Sequence, residues 1–347
     1  EWYVLHPSLN LTGTDTLRGS SSNPNGQNIS KQDAKCRRCD GDPADAPTCP
    51  RCKGTGRDLR SLRYCFGPGP GREWWSLDYK NLELRLPFYR AGEVDLIGLF
   101  EEPDRPPFYG SNHMLNFSVV YPDLWDDALR KHGPEKAAEW IKSAAGYKNT
   151  WYQYDKNGGF AIQYNAGEAT ADAAFHRPGS YRKLKSRFGK LEALNQEQIG
   201  KASRLGYVET MPDRTVDPDR GYPLLCTRTE RGDVLPTVPL SYYIQGTAMW
   251  CTTVSMVRVR EAFADWFRRS RGRFDARIAL QVHDELVIDL PRRADPRADP
   301  GASNLARVLE VSRLMERVGG DLLPVPVPTP TGVEYHPESW AEGVTFK

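Results

Sequence analysis

The sequence predicts an α+β protein, with strands towards both ends of the chain and helices concentrated between them. Three observations carry this. Apolar stretches of strand length run into Asp78 and into Asp284, about two hundred residues apart. Around Asp284, candidate strands near 276–282 and 285–290 flank a short polar break, the pattern of an antiparallel hairpin. Helical candidates cover 133–145, with apolar spacing at Ala137, Trp140 and Ile141, and about 148–167, Gln245 to about 268 and about 302–318.

The 347 residues are 39% hydrophobic, enough for a substantial core and for two subdomains. No run of about 18 apolar residues appears, so a membrane span is not expected. Residue 1 is Glu, with no initiating Met and no signal-like segment before the first motif. This reads as a region of a longer chain, with a cytoplasmic location expected because no targeting segment is visible. Net charge is only +2, from 47 Lys+Arg against 45 Asp+Glu, so global charge does not decide for or against nucleic acid. The basic runs at 182–187 and 268–273 read, taken alone, as solvated helix surface.

The acidic segments are Ser76-Leu77-Asp78-Tyr79-Lys80-Asn81-Leu82-Glu83-Leu84-Arg85 and Leu280-Gln281-Val282-His283-Asp284-Glu285-Leu286-Val287. An Asp at the end of an apolar strand costs desolvation energy unless a cation compensates it. Two of them brought together repel, and a shared pair of divalent metals is the natural remedy in phosphoryl transfer. The two segments resemble motifs A and C of the family A DNA polymerases, the group of bacterial DNA polymerase I. The match is complete over 281–286 and holds at Asp78, Tyr79, Glu83, Leu84 and Arg85. The resemblance implies a right-hand polymerase architecture, with an antiparallel β-sheet palm and a helical fingers subdomain. It implies a DNA-directed DNA polymerase acting on primer-template DNA and dNTPs. It also implies two Mg²⁺ ions held by Asp78, Asp284 and the backbone carbonyl of Tyr79, with Glu285 supporting a metal or the primer end.

From the N-terminus onward, residues 14–29 would be called a polar loop on composition. They are similar to the family's segment along the primer-template backbone, which implies DNA contacts from Arg18, Gln27 and Asn28. Next come Cys36-x2-Cys39-x9-Cys49-x2-Cys52. Paired CxxC units make poor disulfide frames but suit tetrahedral thiolate coordination, so one structural Zn²⁺ is expected. The turn-rich stretch 40–47 cannot supply a core, and a metal would have to organise it. This module reads as an insertion between two palm segments. Cys65, Cys226 and Cys251 are scattered and are expected to be structural.

Lys156, Phe160 and Tyr164 follow at i, i+4 and i+8 on one helical face. The spacing alone would suit an amphipathic helix with an aromatic stripe in the core. Placed between the two acidic motifs, it resembles the family's motif B. That implies Lys156 on the triphosphate and in catalysis, Phe160 stacked on the incoming base, and Glu83 paired with Tyr164 to exclude a ribose 2′-hydroxyl. Tyr152 stands where the family usually carries Arg, and Asn165 where it has Gly. His113 lies where a family His contacts incoming phosphates.

Gly206-Tyr207-Val208-Glu209-Thr210 and Gln245-Gly246-Thr247-Ala248 match two further family segments, and Gln245 with Arg85 and His283 is implied at the DNA. The stretch from Val325 to Trp340 is similar to the family's last strand and closing segment. The resemblance thus runs from about residue 6 to 340. The expected organisation is a primer-template loop at 1–35, the cysteine module at 36–55, palm at 56–100, fingers at 101–205 and palm at 206–347. No thumb or exonuclease region is recognisable, so these would belong to a longer protein. The alternatives are a lesion-bypass or RNA-templated polymerase of the same fold, a catalytically silent DNA-binding relative, and a zinc-ribbon protein.

Overall fold

The computed structural model describes residues 8–10, 14–23, 25–29, 34–39, 48–53, 57–59, 61–143 and 145–346. The expected turn-rich stretch 40–47, with Pro24, Gly56 and Arg60, lies outside the described residues. The chain forms two compact units. One comprises Glu1–Leu82, Met249–Gly320 and Pro328–Lys347; the other comprises Glu83–Ala248 and Asp321–Val327.

In chain order the first unit begins with β1 (Ser8–Asn10) and β2 (Ser20–Ser22), an antiparallel pair. Next come β3 (Ala34–Lys35) and β4 (Arg57–Leu59), a second pair that brackets the cysteines, and then β5 (Arg72–Tyr79). The helical unit follows. It holds α1 (Leu82–Ala91), α2 (Val94–Glu101), α3 (Asn112–Val120), α4 (Pro122–His132), α5 (Ala137–Ile141), α6 (Trp151–Gln163), α7 (Glu168–Phe175), α8 (Ser180–Arg187) and α9 (Gly189–Leu205). The short strands β6 (Tyr207–Glu209) and β7 (Pro223–Leu225) pair with each other. A long α10 (Val238–Arg269) leads back to the first unit. There β8 (Arg277–Val282), β9 (Glu285–Pro291), α11 (Leu305–Glu316), β10 (Thr331–His336) and β11 (Val344–Thr345) complete the chain.

The main sheet is antiparallel, with strand order β11-β10-β5-β9-β8. β5 lies at its centre because its sequence can be buried almost throughout: Glu73, Trp75 and Leu77 are fully buried on alternate positions, and Ser76 is buried on the other face. Helix α11 offers Val308, Val311 and Met315 at spacings of three and four, all fully buried. In α10, Cys251, Ser255, Val259 and Phe263 recur every fourth residue and are buried as well. The Tyr79 hydroxyl ties β5 to both helices: it lies 2.6 Å from Ser255 Oγ and donates to Met315 O at 2.9 Å. Burial pushes the Tyr79 hydroxyl far above the usual phenol range, so it remains a donor.

Glu73 is a carboxylate with no exposed surface. It accepts from Trp75 Nε1 at 2.8 Å, Asn304 Nδ2 at 2.8 Å and the Arg293 amide at 3.2 Å. Those three donors are what make the burial tolerable. Glu73→Leu leaves them unpaired and is expected to lower unfolding free energy by about 1–3 kcal/mol, read from the urea midpoint.

The unit boundaries differ from the expected ones. The helical unit already begins at Glu83 and retains 206–248. The reason is packing. Phe88 of α1 lies 6.3 Å from both Phe100 and Phe188, and Leu191 N donates to Glu93 Oε1 at 2.7 Å. The two later family-like segments also pack on each other. Thr247 Oγ1 accepts from Met211 N at 2.9 Å, and a Cβ on Gly246 would come within 2.5 Å of Leu224. Gly246 is therefore required by close approach, not by flexibility.

Helix limits differ too. The expected helix at 133–145 shrinks to α5, because Gly133 at φ 72 ends α4 and restarts the chain. α4 itself was not anticipated; Pro122 at its first position and three basic residues in its last turn are its start and stop signals. α10 begins seven residues before Gln245, with Pro239 in its first turn, where no N–H is needed. Cys65, expected to be structural, is exposed, whereas Cys226 and Cys251 are buried.

Candidate active site

In the sheet unit, Asp78 ends β5 and Asp284 occupies the turn between β8 and β9. The register places Asp78 opposite Glu285, and the Tyr79 amide donates to Asp284 O at 3.4 Å. The turn has only two residues, and His283 takes a left-handed conformation, φ 57, as a tight hairpin demands of a central residue. Sequence local to the hairpin thus aims the carboxylates at one end of the sheet. Asp78 is exposed and Asp284 half-buried. Burial pushes the Asp284 carboxyl above the usual range; its own backbone amide, His283 and Arg18 act the opposite way. Both groups are hard oxygen donors, and their mutual charge is the kind that divalent magnesium offsets.

Glu285 is engaged from behind. Its carboxylate lies 4.0 Å from Arg63 and accepts from Trp340 Nε1 at 3.5 Å, while the Arg63 guanidinium sits 3.7 Å over the Trp340 ring. Burial lowers the Arg63 pKa; Glu285, Glu334 and Asp78 pull the other way. Sequence reasoning missed Arg63, since nothing in its neighbourhood separates it from other arginines. The segment expected along DNA also reaches this end. Gln27 Nε2 donates to Gln281 Oε1 at 2.9 Å and to its carbonyl at 3.2 Å, and Arg18 acts electrostatically on Asp284. Asn28 and His283 are exposed.

In the helical unit, α6 carries Lys156 and Phe160, and Tyr164 caps its C-terminal end. Phe160 is 39% exposed, unusual for a large apolar side chain on a packed helix. The Tyr164 hydroxyl donates to Glu83 Oε2 at 2.5 Å, and Gln163 Nε2 donates to Glu83 O at 2.9 Å. His113 stands edge-on to Phe160 and Tyr152, with centroids 5.6 and 6.2 Å away. Burial, then Lys156 and Lys142, lowers its pKa to about 4, so the imidazole is neutral. Gln245 donates to Ser241 Oγ at 3.1 Å. Arg85, expected at DNA, is instead 6% exposed, with its guanidinium 4.4 Å over the Phe100 ring; its alkyl stem and planar head pack inside the unit.

The four cysteines are buried and converge, all Sγ atoms lying within 4.8 Å of one another. Cys36 and Cys49 sulfurs are 3.8 Å apart, and those of Cys39 and Cys52 are 3.7 Å apart. Four thiolates about 2.3 Å from a central zinc span a tetrahedron with edges of about 3.8 Å, so the cage has the size that zinc requires. The Lys53 amide donates to Cys49 O at 2.9 Å, and Lys53 adopts φ 50, closing the second CxxC turn. Arg37, Arg38, Arg51 and Lys53 are exposed around the cage. Among the described residues this is the one cluster of three or more potential His, Cys, Asp or Glu ligands, and no described helix is long and apolar enough to cross a membrane.

No family model matches the chain. It is similar to the thermostable DNA polymerase I of Thermus thermophilus, 26% identical over 325 residues, which is 93% of this chain and 31% of that protein. The thermostable DNA polymerase I of Thermus aquaticus matches equally, at 26% over 325 residues. The chain thus spans about a third of the length of these relatives. Among solved structures, the POL domain of Pol1 from M. smegmatis, in complex with DNA primer-template and dNTP, has the same fold. Its TM-score is 0.63 at 20% identity, over 97% of this chain and 48% of that one. In sequence and in fold, the chain is related to the family A DNA polymerases of the DNA polymerase I kind.

Proposed function

We propose that the chain is the palm and fingers region of a DNA-templated DNA polymerase, adding deoxynucleotides to a primer 3′ end. One observation carries this reading: Asp78 and Asp284 come from distant sequence to neighbouring strand ends, joined by the hydrogen bond that the Tyr79 N–H donates to Asp284 O. Asp78, Asp284 and the Tyr79 carbonyl would hold two Mg²⁺ ions. When bound, such a pair supplies a deprotonated 3′-oxygen and neutralises the departing pyrophosphate.

The chain's own residues do the remaining work. Lys156 balances triphosphate charge and supplies a proton to the leaving group, and His113 adds a neutral donor. Phe160 offers its exposed ring to the incoming base. Glu83, clamped by Tyr164, occupies the space of a ribose 2′-hydroxyl. Arg18, Gln27, Asn28, Gln245 and His283 contact primer-template, with phosphate contacts setting position and groove contacts reading the terminal pair. Glu285, held by Arg63 and Trp340, buttresses the hairpin. Buried Arg85 supports α1 from inside. The test is primer extension by the protein, on DNA and RNA templates with four dNTPs and Mg²⁺. Extension on DNA is expected; binding without extension would leave a silent DNA-binding relative, and a preference for RNA would move the template assignment.

We further infer that the cysteine cage holds one structural Zn²⁺, since four thiolates leave no position for water or substrate. Metal analysis is expected to find one zinc per chain. Cys36→Ser should lose it and weaken primer-template binding, through the exposed Arg37, Arg38, Arg51 and Lys53. A zinc-free parent, unchanged by Cys36→Ser, overturns the assignment.

A further inference from the structure

Asp155 is an anomaly on α6. It has no exposed surface, and neither of its carboxyl oxygens has a hydrogen-bond partner. It stands one residue before Lys156, on the face that also buries Gly158 and Ile162. A bare carboxylate there would cost several kcal/mol, and burial accordingly pushes the carboxyl well above its usual range. A protonated carboxyl has one hydrogen to donate and needs an acceptor.

One unpartnered acceptor lies beside it. His113 Nδ1 on α3 is buried, lacks a hydrogen bond, and is 3.7 Å from Asp155 Oδ2. Among its other neighbours, the Tyr121 and Tyr152 hydroxyls also feel the charge of Asp155. The Tyr121 hydroxyl already donates to Phe175 O at 2.5 Å. Tyr152 faces His113 edge-on, and Lys142 and Lys156 act on the imidazole by charge alone. Gly159 is what lets α3 and α6 approach this closely, since a Cβ there would meet Asn116 Nδ2 at 3.0 Å and His113 Nδ1 at 3.9 Å. Moving the two groups about 1 Å closer makes an ordinary hydrogen bond of about 2.7–2.9 Å.

We propose that Asp155 is a positioning residue for His113: its carboxyl engages Nδ1 in a buried hydrogen bond, so that Nε2 carries the proton and is the donor offered to an incoming triphosphate. The bond fixes both tautomer and ring orientation, which a lone imidazole would leave free. It also gives the helical unit an ordered phosphate donor. This rests on the polymerase reading for its substrate, but not for the bond itself.

Nitrogen-15 NMR of the histidine-labelled protein tests the bond without any substrate. The parent is expected to show His113 as a single tautomer, protonated at Nε2, with Nδ1 an acceptor. Asp155→Ala should give averaged shifts from exchanging tautomers, and Asp155→Asn, whose amide can still donate, should restore one tautomer. In single-nucleotide incorporation of dTTP opposite dA, Asp155→Ala is expected to raise KM about tenfold with a smaller change in kcat, the weight of one hydrogen bond. His113→Gln should do the same, and the double variant should be no worse than His113→Gln alone. A single Nε2-protonated tautomer surviving in Asp155→Ala overturns the proposal. So does a KM unchanged in an active Asp155→Ala. A parent that incorporates nothing removes the polymerase reading instead, while the NMR result still decides the pair.

Discussion

Asp78→Ala and Asp284→Ala are each expected to abolish nucleotide addition, by about a thousandfold or more, while primer-template affinity changes little. The size follows from the role: each carboxylate holds charge that compensates the reacting oxygens, and neither can be replaced by water without losing its position. The two are joined through backbone, by the register of Asp78 with Glu285 and the hydrogen bond from the Tyr79 N–H to Asp284 O, so removing either side chain should leave the sheet end intact. Asp284→Asn provides the control. Burial raises the Asp284 pKa, which means that its charge opposes folding when no cation is present. The Asn variant is therefore expected to be at least as thermostable as the parent in metal-free buffer, and still inactive. Single-turnover extension, equilibrium DNA binding and thermal melting together make the test. Near-normal extension by either Ala variant would sink the two-metal assignment, and a melting temperature well below the parent's would move the defect to folding.

Glu83→Ala is expected to admit ribonucleotides, shifting the ratio of kcat/KM for rNTP against dNTP by about a hundredfold. Glu83 is not a free surface acid: the Tyr164 hydroxyl and the Gln163 side chain hold its carboxylate and its carbonyl. A carboxylate so fixed excludes the added hydroxyl by bulk, and rejection of one extra hydroxyl by shape is worth about a hundredfold. Tyr164→Phe keeps the ring but releases the carboxylate, so it should give a smaller shift in the same direction. Unchanged nucleotide preference in Glu83→Ala would mean that the sugar is read elsewhere.

How much of this was legible in the chain varies with the range of the interaction involved. The strand ends at Asp78 and Asp284, the hairpin turn at His283, and the Lys156–Phe160 spacing on α6 depend on residues within a few positions of each other. Period and turn chemistry reveal such features directly. The cysteine cage was equally plain, because CxxC spacing already places two thiolates together and the chemistry of four needs only that the pairs meet. A second signal was present in the sequence and passed over: Asp155 breaks the buried face made by Gly158 and Ile162, and an acid on an otherwise buried stripe marks a polar contact.

What the chain's own pattern determined, then, is local geometry and the chemical identity of the donors: carboxylates at strand ends, four thiolates in two turns, a cation and an aromatic one helical turn apart. Only the tertiary structure decided which of those groups are buried and by whom they are held. Arg85 sits in a motif that implies DNA, yet it packs over Phe100 inside the helical unit. Cys65 reads as structural and lies at the surface. Residues 206–248 read as palm but stay with the helices, because β6 pairs with β7 and because Gly246 and Thr247 close against Leu224 and Met211. Burial is a property of contacts between segments far apart in the chain, and no window of neighbouring residues contains it. For the same reason the partner of Asp155, a histidine forty-two positions earlier, became visible only when α3 and α6 were packed together.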